Sequence, residues 1–328
     1  MNWRRLLIRK WLIGLFLLVG LGIYLFLVLA RGAKSTLTEQ LLKRRLTVAR
    51  AEASNLTSYF QQFGDSIKVF AHLCSIERRD ASTVQDMDTF VEQRRESGLI
   101  GGIVLTDKNG IVSFNSNVSG TRDIGIDLSD RDYFVWAKDQ SEDGEYFVGQ
   151  PVVSRLGATK GEIVVPVVAS VYQDSVFTGV VVAAVKLQPL TERFLGMLKI
   201  SDTTDVYLID HEGDLLYNSS KPDVVGTNIF ELSQDKSFTG SSMSDNLIKN
   251  ILSKIKEGNF DTGEYLIAYS PVVLGSQNWM LVITSPSQQV KDLAIPIYVR
   301  QISILIFAFL TFSLFGVVVA NEIKFKRD

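Results

Sequence analysis

The spacing of apolar positions changes character several times along the chain. Residues 11–30 and 301–320 are two stretches of twenty residues without a charge. At about 1.5 Å per residue, each helix would reach across the ~30 Å hydrocarbon layer of a bilayer. After the first stretch, Leu42, Leu46, Ala49, Ala53, Leu56, Phe60, Phe63, Ile67 and Phe70 recur at alternating steps of four and three. That spacing predicts one apolar stripe on a long helix, which serves either as a seam between two copies or as a face packed on the chain's own domain. No proline interrupts the chain before Pro151. Beyond Arg94 the pattern shortens to strands, of which YFVGQPVVS, EIVVPVVASVY and GVVVAAVKL are the most apolar. A hairpin turn is predicted between the first two, at Gly157 to Gly161.

The strand pattern repeats. GIVLTDKNGIVSFNS at 102–116 aligns without gaps to DVYLIDHEGDLLYNS at 205–219, with five of the fifteen positions identical. In the first copy Asn109-Gly110 lies between apolar runs and predicts a hairpin, because both residues tolerate positive φ. A second echo pairs Gly144-Glu-Tyr and Pro151-Val-Val with Gly263-Glu-Tyr and Pro271-Val-Val. Two echoes in one order point to a duplicated module. Helices are predicted at 189–199 and near 244–256, and strands at 265–273 and 279–284. Ser285-Pro286 is read as the cap and first turn of a final helix, bent at Pro296, that enters the second span.

Charge refines this picture. Residues 35–299 hold 24 Lys+Arg against 34 Asp+Glu, a balance of −10 that argues against nucleic acid as a partner. Basic residues flank the spans: Arg4, Arg5, Arg9 and Lys10 before the first, and Lys324, Lys326 and Arg327 after the second. Arg31, Lys34 and Lys43 to Arg45 follow the first span, so charge alone does not fix the orientation; the C-terminal cluster agrees with a cytoplasmic C-terminus, and two spans put both ends on one side. Cys74 is the only cysteine, which excludes an intrachain disulfide or a Cys-based zinc site, and its apolar surroundings predict a buried, inert thiol. His72 and His211 stand alone, and no HExxH, GxSxG or phosphate-loop pattern occurs, so no metal, cofactor or catalytic centre is expected.

The stretch with the most chemistry is DLSDRDYFVWAKDQSEDGEYFVGQPVVS, residues 127–154. Arg131 is followed by Tyr133, Phe134 and Trp136, then by Tyr146 and, at the end of the strand-like run, Ser154. A guanidinium offers a planar fork to a carboxylate, and aromatic walls exclude competing water. The plainer reading is that Arg131 ties its own loop to Asp127, Asp130 and Asp132, and that the tyrosines are core rings.

DLSDRDYFVWAK, GQPVVSRLGATKGEIVVPVVA and GVVVAAVKL together resemble the double Cache family of tandem PAS-like sensor regions, over residues 35–286. The resemblance implies an α+β fold: a long N-terminal helix with two tandem PAS-like (Cache) modules, flanked by two transmembrane helices. The implied division is a cytoplasmic N-terminus (1–10), first span (11–30) and long helix (35–75). Then come a membrane-distal module (76–190), a membrane-proximal module (191–286), a return helix (287–300), the second span (301–320) and a cytoplasmic stub (321–328). Family members are input halves of bacterial sensor histidine kinases, diguanylate cyclases and chemoreceptors, and hold a small ligand in the distal module. The resemblance assigns Arg131 and Tyr133 to the ligand carboxylate and Phe134 to an aromatic wall. A subgroup that binds free amino acids adds a tyrosine, a tryptophan and a strand aspartate, which here read Ile126, Tyr133 and Ala184. The missing aspartate favours an organic acid over an amino acid, with Lys186 on the face of Ala184 as a second cation.

The expected protein is thus a two-pass inner-membrane receptor with its central region in the periplasm. It would be a homodimer along the stripe, signalling to a cytoplasmic output domain or partner and not itself an enzyme. Eight residues after the second span are too few for an output domain, so a longer chain or a membrane partner is expected, a histidine kinase first. The alternative is a membrane-anchored scaffold or adhesion protein, which predicts a filled distal module and an exposed apolar patch.

Overall fold

Helix α1 runs unbroken over Trp3–Ala71, as the lack of proline permits. The structure, a computed structural model, describes residues 3–140, 144–199, 201–232, 245–253 and 256–325. The chain divides into two compact units, one of residues 1–44, 261–266 and 286–328, the other of residues 45–260 with 267–285.

In the first unit, the early part of α1 lies beside helix α8, Gln288–Phe325. Both helices are long and apolar enough to cross a membrane, and their apolar windows are fully exposed. The pair touches where Trp11 stacks on Phe312 at 6.3 Å and where the Tyr298 hydroxyl donates to the Ala30 carbonyl at 3.3 Å. Pro296 lies inside α8, but the helix does not start at Ser285-Pro286 as predicted. Those residues end a strand instead, whose pairing outweighs the local capping signal.

The larger unit contains two antiparallel sheets, apart from residues 261, 265, 266 and 286 at the ends of their strands. The first consists of β1 Ile100–Thr106, β2 Val112–Asn117, β3 Phe147–Val148, β4 Val152–Val153, β5 Ile163–Gln173 and β6 Val176–Lys186. Its order is β2-β1-β6-β5-β3, with β4 also on β5. The second consists of β7 Asp205–Ile209, β8 Leu215–Asn218, β9 Gly258–Asp261, β10 Tyr265–Val273 and β11 Asn278–Pro286, in the order β8-β7-β11-β10-β9. The two orders are the same, so the repeat read from sequence is a repeated topology. The shorter helices are α2 Cys74–Arg78, α3 Thr83–Arg95, α4 Asp132–Lys138, α5 Leu187–Leu195, α6 Ile229–Leu232 and α7 Asp245–Leu252. Helices α2 and α3 were not predicted. Helix α7 occupies the stretch foreseen at 244–256, of which 244, 254 and 255 lie outside the described residues.

β5 and β6 read as continuous apolar runs because both sheet faces are covered. One face buries Ile103, Leu105, Val165, Val167, Val181 and Ala183 against α1, α2, α3 and α5. The other sets Val104, Val168, Val180 and Val182 against α4. The α1 stripe from Ala49 to Phe70 is buried in the first of these cores, so its heptad spacing serves the chain's own domain and is not an open seam. Cys74 is exposed, contrary to prediction, because α1 ends at Ala71 and the thiol begins a separate short helix.

The equivalent turns of the two sheets are built by the same side chain. Asp107 Oδ1 accepts from the Asn109 and Ile111 amides at 2.9 Å, and Asp210 Oδ1 accepts from Glu212 at 2.9 Å and Asp214 at 2.8 Å. Gly110 and Gly213 both take positive φ there. The second sequence echo does not survive: Gly144-Glu-Tyr leads into β3, whereas Gly263-Glu-Tyr opens β10, the counterpart of β5.

Burial pushes the Asp210 carboxyl above the ordinary carboxylate range, outweighing the two amides that favour its charge. A raised folded-state value means that stability from this group is complete below about pH 4 and is lost as pH rises through that raised value. Asp210→Asn keeps an acceptor oxygen and removes the titration. The variant should therefore gain on the natural chain as pH rises from about 4 towards neutrality. Urea unfolding across that range checks this; a difference independent of pH would contradict it.

Candidate ligand-binding site

The α4 face of the first sheet does not close completely. Between it and the β4–β5 hairpin is a cavity whose water-reachable free space is about 50 Å³, enough for a few water molecules. Its floor is apolar and small-sided: Gly102 and Val104 on β1, Val182 and Ala184 on β6, Val164 and Pro166 on β5. Residues 152–159 form the roof, and Leu128, Arg131 and Tyr133 one wall. Among the described residues the lining contains two arginines, Arg131 and Arg155, and no Asp or Glu.

Arg131 precedes α4 in extended conformation, and its Nη2 donates to the Val153 carbonyl of the roof at 3.1 Å. Its Nε is enclosed and has no hydrogen-bond partner among the described residues. The aspartates around it are occupied elsewhere. Asp127 accepts from the Ser129 amide and Asp132 from the Tyr133 amide. Asp130 takes two bonds from Arg155, at 2.7 and 2.6 Å, and these hold its carboxyl below the usual range. The loop-tying role is thus filled by Arg155, which sequence reading missed. Arg131 lines the cavity with one enclosed donor unspent.

Of the other predicted residues, Tyr133 and Ser154 also line the cavity. Tyr133 is buried, which pushes its hydroxyl up to about 12 against the opposing pull of Arg131, so it stands there as a neutral donor. The Ser154 hydroxyl is engaged within the roof, donating to the Leu156 carbonyl at 3.0 Å and accepting from Thr159 at 3.0 Å. Phe134, Trp136, Tyr146 and Lys186 are not part of the lining. Helical rotation about α4 directs Phe134 onto Phe177 and Trp136 onto Phe147, with ring centroids 6.1 and 4.8 Å apart. Tyr146 packs into the core on the opposite sheet face, against Gly64 of α1. Lys186 ends β6 where the chain turns into α5, and lines a different hollow with Glu162 and Glu192.

Among the described residues the second sheet has no arginine at the equivalent position. Ile111 bridges Asp127 and Asp214 bridges Asn228 in the same position of the two copies, which puts Leu232 where the first copy has Arg131. The loop GTNIFELSQDKSFTG continues from there, and its residues 233–240 lie outside the described residues. Among the described residues no three His, Cys, Asp or Glu side chains are grouped to hold a metal ion.

The Cache domain family profile, in its double form, matches residues 31–293 of the 328. The chain belongs to the double Cache family. Its two sheets are accordingly two tandem Cache modules, and the cavity lies in the first of them along the chain. Solved structures share this double Cache fold. The extracellular domain of vpHK1S-Z8, a protein named as a histidine kinase, superposes with a TM-score of 0.61 at 17% identity, covering 78% of this chain and 98% of that one. The ligand-binding domain of the Pseudomonas fluorescens chemoreceptor CtaA, in complex with L-isoleucine, gives 0.56 at 16% identity, covering 79% and 98%. The sensory domain of the Campylobacter jejuni chemoreceptor Tlp3, with isoleucine bound, gives 0.54 at 12% identity, also covering 79% and 98%. No curated protein matches the double Cache chain significantly in sequence.

Proposed function

We propose that this double Cache protein is the sensing region of a two-pass inner-membrane receptor that binds a small organic acid in its distal cavity. The observation that carries the reading is the enclosed, unpartnered Nε of Arg131 in a lining that has two guanidinium groups and no carboxylate. Buried donors are ordinarily satisfied, so an unspent one on an arginine that lines a cavity suits an anionic ligand. CtaA and Tlp3 have isoleucine bound, but an amino acid's ammonium group would find no anion among these lining residues, where Ala184 stands in place of an acid. The apolar floor suits a short carbon chain on the carboxylate.

The proximal module, with Leu232 in place of the arginine, supports a relaying role. The output is proposed to be cytoplasmic, a histidine kinase first and a diguanylate cyclase or chemoreceptor next. A homodimer would have to use surfaces other than the buried stripe.

Calorimetric titration of the chain with acetate, propionate, lactate, succinate and isoleucine tests the ligand class. Binding by one or more of the acids without isoleucine is expected. Binding of isoleucine alone would overturn the class, and no heat with any of the five would remove the organic-acid reading.

A further inference from the structure

The roof of the distal cavity is weakly built into the sheet. β4 contributes two ladder pairs, Val152 with Val164 and Val153 with Ile163. Side chains fasten the roof otherwise: Arg131 to the Val153 carbonyl, Arg155 to Asp130, and Asp123 Oδ2 to the Gly157 amide at 2.7 Å. A cavity of about 50 Å³ admits nothing larger than a few waters while that roof is down.

The chain that leads into the roof is held by the other module. In the proximal module's β10–β11 turn, Ser276 Oγ donates to the Val148 carbonyl at 2.6 Å. Gln277 Nε2 donates to the carbonyls of Val148 at 3.2 Å and Gly149 at 2.7 Å. The Gly149 amide is bonded to the Pro166 carbonyl on the cavity floor at 2.8 Å, an approach so close that a β-carbon on Gly149 would come within 2.7 Å of the proline ring. Between this clasp and β4 lie only Gln150 and Pro151, the second with a fixed φ, so the link has little slack. Gln277 is itself buried, and its Oε1 has no partner among the described residues. A buried amide that leaves one end unsatisfied is poorly explained as a stabilising core residue.

We infer that Gln277 is a positioning residue for the distal cavity: it fixes the carbonyls at the root of the roof, so that opening of the roof is transmitted to the proximal module through the β10–β11 turn. The inference concerns the cavity assigned above to an acid, but it is independent of that ligand and is tested without one. Coupling of this kind is reciprocal between the two ends.

Amide hydrogen exchange of the full chain in detergent reads both ends. Two amides report, Ser154, bonded to the Glu162 carbonyl in the roof, and Leu274, bonded to the Gln277 carbonyl in the turn. Arg155→Ala unfastens an exposed point of the roof. It should speed exchange at Ser154 and, at least about fivefold, at Leu274. Gln277→Met keeps the volume and removes the donors, and adding Arg155→Ala to it should leave Leu274 unchanged. Arg95→Ala cuts a comparable exposed pair with Glu92 on α3, with no bond to the roof or the cavity lining among the described residues, and should leave Leu274 as it was. The inference is overturned if Arg155→Ala speeds Ser154 without Leu274, if the Leu274 response persists with Gln277→Met, or if Arg95→Ala produces it equally. Where Gln277→Met does not fold, the contrast between Arg155→Ala and Arg95→Ala still decides.

Discussion

Arg131→Ala should weaken binding of a carboxylate to the distal module by about 10- to 150-fold, the equivalent of a charge-assisted hydrogen bond lost. The size of the effect follows from the surroundings. The guanidinium has one bond to the roof, at Val153, and no ion pair with the neighbouring aspartates among the described residues. Its removal therefore breaks no ion pair with those aspartates, and most of the loss falls on the ligand. Arg131→Lys retains the charge without the planar fork and should fall between the two. Calorimetry with the acid that binds most tightly measures the ratio, and thermal unfolding of each variant confirms that the module stays folded. Undiminished affinity in the alanine variant would remove Arg131 from recognition.

Phe60→Ala should produce the largest loss of stability. The ring is 1% exposed and meets Trp279, also 1% exposed, edge-on at 5.4 Å. It thus joins α1 to the second sheet within one core. Truncating a fully buried phenylalanine costs about 3–5 kcal/mol. In a unit of this size that corresponds to a fall of about 6–20 °C in melting temperature. Phe60→Leu keeps most of the volume and should cost less than half as much. A shift of under 2 °C for the alanine variant, measured by tryptophan fluorescence on heating, would mean that the helix is not integral to this core.

Features that depend on local periodicity were legible in the sequence. The uncharged twenties, the stripe from Ala49 to Phe70, and the Asp-x-x-Gly turns at Asp107 and Asp210 need only neighbouring residues to be recognised, and the second turn marked the repeat. The Gly144/Gly263 echo misled because short apolar motifs recur on strands that do not correspond. The cavity was legible only in part. Arg131, Tyr133 and Ser154 line it, but a run of aromatic letters does not reveal that helix α4 rotates Phe134 and Trp136 away from Tyr133. Tyr146 and Lys186 illustrate the same limit for a sheet, where a side chain's face near a strand end depends on where the strand stops. Arg155 was invisible for another reason: its partner, Asp130, lies 25 residues earlier, and nothing local marks the pair.

The Arg155–Asp130 fastening lies in water, with the two side chains 41% and 58% exposed. Attraction between such groups is screened over about 8 Å at physiological ionic strength and over less in brine. Added salt should therefore loosen this fastening, and under the proposed function the cavity should be easier to reach in brine than in dilute buffer.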